Sequence, residues 1–210
     1  MTTTNPPALD LGAVQKIRKG AVLVALLALM GAALVTQSVG GVDGRWHEMV
    51  EAAGLAMIVF SIVGRAWCTL YIGGRKKADV VDSGPYSITR NPLYVFSFFG
   101  AFGVGAQSGS AAIACGFVLA SLLIFRLTVA REEAFLSREF GERYEAYRAR
   151  SPRFVPNFGL WRDTEELTVR PSLFLLTIRD GLVFLLAIPI FEMIDLAQAE
   201  GWLKVIALLP

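Results

Sequence analysis

The chain has 210 residues, 54% of them hydrophobic and 18% charged, too few charges to clothe a soluble domain of this size. Its net charge of +2 gives no basic patch of the density that nucleic acid requires, and a single histidine, His47, with two lone cysteines, Cys68 and Cys115, suggests neither a metal site nor a disulfide framework. The composition is that of an integral membrane protein.

A hydrocarbon core of about 30 Å takes about 20 apolar residues in a helix, and five such stretches are found. The polar start, residues 1–20, leads into the first, Ala21 to Val39, which exceeds a signal-peptide core, lacks a cleavage site and is expected to stay as an anchor. The second runs from Met49 to Leu70, with Arg65 near its end. Pro92 to Val129 has one charge, Arg126, and a polar break "AQSGS" at 106–110, so it is expected to hold a short third span and a fourth. The fifth, Leu173 to Ile194, contains Arg179 and Asp180. An isolated charge at mid-bilayer costs at least about 2.5 kcal/mol, so each is expected to face protein or water, and being adjacent, each to find a different partner. The expected fold is therefore all-α, one polytopic transmembrane bundle over residues 1–210 with about five spans.

Lysine and arginine flanks set the orientation. Lys16, Arg18 and Lys19 precede span one; Arg75, Lys76, Lys77 and Arg90 lie between two and three; Arg131, Arg138, Arg143, Arg148, Arg150, Arg153 and Arg162 follow four. The other loops carry only Arg45. The N-terminus and both long loops are thus expected in the cytoplasm, with the C-terminus outside.

Two polar segments share that face. In "SGPYSITRNPLY", Ser83 to Tyr94, Gly84-Pro85 signals a turn, and Asn91-Pro92 has the form of a helix start, with Asn as cap and Pro where its missing N–H costs nothing. The first-turn amides, the positive helix end and Arg90 together suit a carboxylate or phosphate at the membrane surface, although Arg90 and Asn91 would equally serve as a plain anchor and cap. Downstream, "REEAFLSREFGERYEAYRARSPRF" carries span four beyond the membrane as a charged helix, with Glu132 and Glu133 at the exit. Tyr144 and Tyr147 lie three apart on a short helix that Pro152 stops. An interfacial helix with solvated glutamates is the simpler reading, yet adjacent carboxylates serve little purpose at an anionic surface unless they meet a cation.

In this order and spacing, Gly84-Pro85-Tyr86, Arg90-Asn91-Pro92-Leu93-Tyr94, Glu132-Glu133, Leu136, Phe140-Gly141, Tyr144, Tyr147 and Arg153-Phe154-Val155-Pro156 resemble the isoprenylcysteine carboxyl methyltransferase and phospholipid methyltransferase superfamily. The resemblance covers residues 76–158, read as the methyltransferase-like core. It implies methyl transfer from S-adenosylmethionine, held at the cytoplasmic face, to an amphiphilic, lipid-like or prenylated acceptor arriving through the surrounding membrane lipids. Asn91 stands where many members have His, so acid–base chemistry by an imidazole is not expected there.

Each part of that cofactor has a matching residue type. Arg90 and the amides after Asn91 and Pro92 suit its carboxylate, Glu132 and Glu133 its ribose hydroxyls or ammonium, and Tyr94, Tyr144 or Tyr147 its adenine or sulfonium, with Tyr86 also expected in the cofactor site. For an acceptor carboxylate or lipid phosphate, Arg153 is the candidate anchor; for an acceptor amine, Glu133 is the candidate base. O- and N-methylation both remain open, as does oligomeric state. Two other readings stand beside this one: a sterol-reductase-like enzyme using NADPH, which shares an Arg-x-Pro-x-Tyr segment but needs more spans, and a non-catalytic membrane scaffold.

Overall fold

The computed structural model describes residues 11–75 and 78–210, so Lys76, Lys77, the first ten residues and the side chains of Lys16 and Arg18 lie outside the described part. The described part is all-α apart from one short strand pair. Its elements are α1 (Leu11–Val35), β1 (Thr36–Ser38), α2 (Arg45–Ile72), α3 (Pro85–Ile88), α4 (Pro92–Ala106), α5 (Ala111–Phe140), α6 (Glu142–Arg150), α7 (Pro171–Leu182), α8 (Ala187–Ala199) and β2 (Ala207–Leu209).

Among the described residues, three helical stretches are long and apolar enough to cross a membrane: Arg45–Ile72, Ala111–Phe140 and Pro171–Ala199. Two shorter apolar helices, Lys19–Val35 and Pro92–Ala106, complete the five segments expected from sequence, the third of them short as anticipated. The break at 106–110 is a tight turn, and Ser110 caps α5 by accepting from the Ile113 amide. At 30 residues, α5 is about 45 Å long, against a hydrocarbon core of about 30 Å. It is therefore longer than the apolar layer is thick, and Glu132 and Glu133 lie toward its charged C-terminal end.

The most extensive contact is between α2 and α4, with α5 behind α4, α1 along α5 and α7 along α2. Gly103 of α4 lies against the backbone of Gly54 in α2, the close approach that small residues permit between membrane helices. Arg65 is accommodated within this packing, donating to Ser97 Oγ at 3.1 Å and lying over the Phe184 ring at 5.5 Å.

The fifth segment bends through a 3-10 stretch at Val183–Leu186. Its two charges depart from expectation: Arg179 and Asp180 are exposed and pair with each other, Nη2 to Oδ1 at 3.4 Å. Their Cβ atoms point about 100° apart on the helix, but the long arginine side chain spans the difference. Beyond α8, β2 pairs in parallel with β1, Thr36 opposite Ala207, and Gln198 Nε2 donates to the carbonyls of Ala33 and Thr36 at 3.1 and 3.0 Å. The last segment is thereby tied back to α1.

Candidate cofactor cleft

The dodecapeptide folds into a buried turn. Gly84 adopts φ 56° and ψ −133°, a conformation open essentially to glycine, and a Cβ there would lie 2.2 Å from the Tyr71 ring. Pro85 starts the one-turn α3, Thr89 is extended, and Pro92 opens α4 as its first residue, all three buried. A segment that polar is buried only if its groups are paired. The partners come from residues 151–163. Arg90 N donates to Pro152 O at 2.8 Å, Asn157 N to Ile88 O at 2.9 Å and Gly84 N to Arg162 O at 2.7 Å. Among the side chains, Thr89 Oγ1 donates to Arg153 O at 3.1 Å and Ser87 Oγ accepts from Arg162 N at 3.1 Å.

Glu133 is the centre of the site. It is 4% exposed, and its Oε1 accepts from Arg90 Nε at 3.1 Å and from Asn91 Nδ2 at 3.3 Å, while Oε2 accepts from Arg153. Arg90 is almost fully buried as well, with Nη1 donating to Arg148 O at 2.8 Å and to Ser151 O. One carboxylate thus gathers side chains from α4's start, α5's end and the segment after α6. Asn91 stands at the N-cap position, but its side chain makes no capping bond. It turns to Glu133 and to Arg153 O at 3.1 Å, correcting the expectation of a side-chain cap. The charged acceptor is the stronger partner for its amide.

A cleft opens beside this cluster. Tyr86, Arg90, Asn91, Tyr94, Glu132, Glu133, Tyr144 and Tyr147 all line it, with Leu93 and Leu136 among its apolar walls. Of the residues expected to hold a cofactor, Pro92 alone lies behind the wall, and Arg153 is tied to Glu133 rather than lining the cleft. Asp79, Val80 and Val81 also line it, a contribution not anticipated from sequence; the apolar pair inside the otherwise polar "ADVVDS" was the available signal.

The tyrosines have distinct roles. Tyr147 Oη donates to Tyr86 O at 2.8 Å, locking α6 onto the turn, and its ring meets Tyr144 edge-on. Burial, and then the nearby Glu133 carboxylate, push the Tyr144 phenol up to about 12. Burial raises Tyr147 and Tyr86 as well, so all three are neutral near pH 7. The Tyr86 hydroxyl is buried yet has no hydrogen-bond partner among the described residues. A buried orphan hydroxyl costs roughly 1–3 kcal/mol. Carboxylates, a guanidinium, aromatic rings and one unanswered hydroxyl form a donor set that fits a zwitterionic, cationic nucleoside such as adenosylmethionine.

The family model described as phospholipid methyltransferase matches residues 49–143, including the turn, both glutamates and the start of α6. The chain is 36% identical over 169 residues to the nickel-cobalt-cadmium resistance protein NccN of Alcaligenes xylosoxydans xylosoxydans, covering 80% of this chain and 79% of that one. It is equally 36% identical over 168 residues to the cobalt-zinc-cadmium resistance protein CzcN of Cupriavidus metallidurans, covering 80% and 77%. The protein-S-isoprenylcysteine O-methyltransferase of Xenopus laevis is 32% identical over 117 residues, 51% of this chain and 41% of that protein. No solved structure matches the chain.

Proposed function

The chain belongs to the superfamily of membrane phospholipid and isoprenylcysteine methyltransferases, and we propose that it transfers a methyl group from S-adenosylmethionine to an amphiphilic, lipid-like or prenylated acceptor. The observation that carries this reading is the convergence of Tyr86, Tyr94, Glu132, Tyr144 and Tyr147 on one cleft around the Arg90–Glu133 pair. When bound, the cofactor supplies an electrophilic methyl group on a cationic sulfur. Methyl transfer is an in-line displacement, so the protein's task is mainly alignment and exclusion of water, effects that supply about 7–11 kcal/mol at their upper end.

In this reading Glu132 answers the ribose diol or ammonium, the Tyr86 hydroxyl donates to a polar cofactor atom, and the rings of Tyr94 and Tyr144 face adenine or the sulfonium. The amides opening α4 hold the carboxylate. Arg90, Asn91 and Arg153, already bound to Glu133, act by fixing the cleft wall, so Glu133 positions other groups before it serves as any base. From the cleft an aromatic line runs along α4 and α5: Tyr94 on Phe125 at 5.0 Å, Phe98 on Phe125 at 6.0 Å and Phe98 on Phe154 at 5.7 Å. An acceptor's hydrocarbon enters along that line from the bilayer and presents its oxygen or nitrogen to the methyl group. The arginine-rich segment after α5 supports a cytoplasmic cleft in this reading. Two of the relatives are named as metal resistance proteins, and we assign the methylation here to the same physiological setting.

Calorimetric titration of the detergent-purified chain with S-adenosylmethionine, S-adenosylhomocysteine and NADPH tests this, with Tyr86→Phe as the variant. The expected result is binding of the first two, weakened about fivefold by a substitution that removes an unpartnered hydroxyl and leaves the melting temperature unchanged or higher. Binding of NADPH alone would replace this reading with a reductase. A folded chain that binds none of the three would be a scaffold.

A further inference from the structure

The first turns of α2 and the end of α8 bring a second polar cluster together, far from the cleft. His47 and Glu51 are four residues apart on one face of α2, and Asp195 reaches them from α8. His47 Nε2 lies 3.2 Å from Glu51 Oε1 and 3.4 Å from Asp195 Oδ2, and the three donor atoms all fall within 4.8 Å of one another. His47 is 3% exposed, and the two carboxylate side chains are 25% and 16% exposed. The cluster is 148 positions apart in sequence between its first and last members, which is why a chain with one histidine gives no sign of it.

We propose that His47, Glu51 and Asp195 form a binding site for a divalent transition cation. The charge balance points to a cation. Two carboxylates face one imidazole, and Glu192, one turn before Asp195, adds to the negative potential at Glu51. A neutral ring that turns an Nε2 lone pair toward a shared cation satisfies Nε2 and both carboxylates together. The ring is also held in place: Gly109, in the turn between α4 and α5, packs so closely that a Cβ there would lie 2.0 Å from Nδ1. One imidazole nitrogen with two carboxylate oxygens suits zinc, cobalt or nickel, whereas calcium and magnesium favour all-oxygen shells. Three protein ligands leave one tetrahedral position for water or an outside ligand.

The site lies at the opposite end of α2 from the cleft. From His47 to Tyr71 the helix rises about 36 Å, more than the hydrocarbon thickness, so the two sites face opposite sides of the membrane. A cation there would join the second and fifth membrane segments.

Titration of the full-length, tag-free protein in detergent with Co(II), followed by its visible d–d absorption, tests the site. Wild type is expected to take up one equivalent with a tetrahedral spectrum, to release it to Zn(II) and to keep it in excess Ca(II). His47→Ala and Asp195→Asn are each expected to weaken binding 10- to 100-fold. Zn(II) should raise the melting temperature of wild type and not that of Asp195→Asn. Should His47→Ala fail to fold, the near-isosteric Glu51→Gln and Asp195→Asn decide the matter, with S-adenosylhomocysteine binding as a fold check that does not depend on the cation. No cobalt spectrum in wild type, or one that persists unchanged in folded variants, would overturn the proposal.

Discussion

Substitution of Glu133 by Gln tests the site at its most connected atom pair. The change keeps the shape but removes the charge that Arg90 and Arg153 share, and it turns an amide N–H₂ toward one of them. The two pairs do not weigh equally. Arg90 has a side chain 10% exposed and depends on Glu133 for its charge balance, whereas Arg153, at 35%, is partly answered by water. Breaking a buried pair by removing one partner costs about 3–5 kcal/mol, and an exposed pair adds less than about 1. For a chain of this size that is a fall in melting temperature of roughly 6–20 °C, measured by intrinsic tryptophan fluorescence in detergent. The double variant Glu133→Leu with Arg90→Met should recover much of the loss, since replacing both members of a buried pair by apolar groups of similar volume is often neutral. A fall under about 2 °C in Glu133→Gln, or strictly additive losses in the double variant, would refute the claim that this carboxylate organises the cleft.

Two further outcomes follow from the same geometry. Gly84→Ala forces a side chain onto φ 56° and into the Tyr71 ring, and is expected to abolish recovery of folded protein, while Gly20→Ala, in a helix with nothing within 4 Å, is expected to be neutral or stabilising; comparison of monodisperse yield by size exclusion checks both. Raised phenol values in the folded state mean that the unfolded chain loses its protons first, near pH 10, so the stability these tyrosines confer is complete below pH 10 and falls as pH rises toward the Tyr144 value of about 12. Melting temperatures across pH 7 to 12, with Tyr144→Phe as the comparison, show this as a steeper alkaline loss in wild type.

The membrane class and the order of the five apolar segments were legible because each rests on a local signal, and the motif residues that line the cleft stood out through the resemblance they carry. Hydrophobic length marks α2 and α5, and Pro92 marks the start of α4. What escaped the sequence was pairing between distant residues. Asn91 reads as a cap from its neighbours alone, and only the arrival of Glu133, 42 positions later, turns its side chain away. Arg153 reads as a free anchor for an acceptor, yet the same carboxylate holds it. His47 offers no partner within its own segment except Glu51, and Asp195 comes from the other end of the chain. Periodicity and capping chemistry act over one or two helical turns, whereas a buried charge takes whatever opposite charge the topology delivers.

The strap of residues 151–163 shows how a site so dependent on tertiary contact is kept in register. It reaches the dodecapeptide chiefly through backbone atoms, with Pro152, Arg153 and Arg162 carbonyls accepting and the Asn157 amide donating. Main-chain pairing fixes geometry without constraining which side chain each position bears. Two of its apolar side chains are unburied, Val155 at 79% and Phe158 at 76% exposed, where an aqueous loop would be polar. With the cleft at the membrane surface, as proposed above, such residues would reach into the headgroup region, where an apolar or aromatic side chain is favoured. On the orientation proposed above, one segment performs two tasks: its backbone and the Arg153 side chain hold Arg90, Thr89 and Glu133 in place beneath the cleft, and its exposed apolar side chains set the depth at which the cleft meets the lipid. Val155→Asp or Phe158→Asp should on this account leave cofactor affinity intact while lowering turnover of a membrane-embedded acceptor relative to a short-chain soluble analogue.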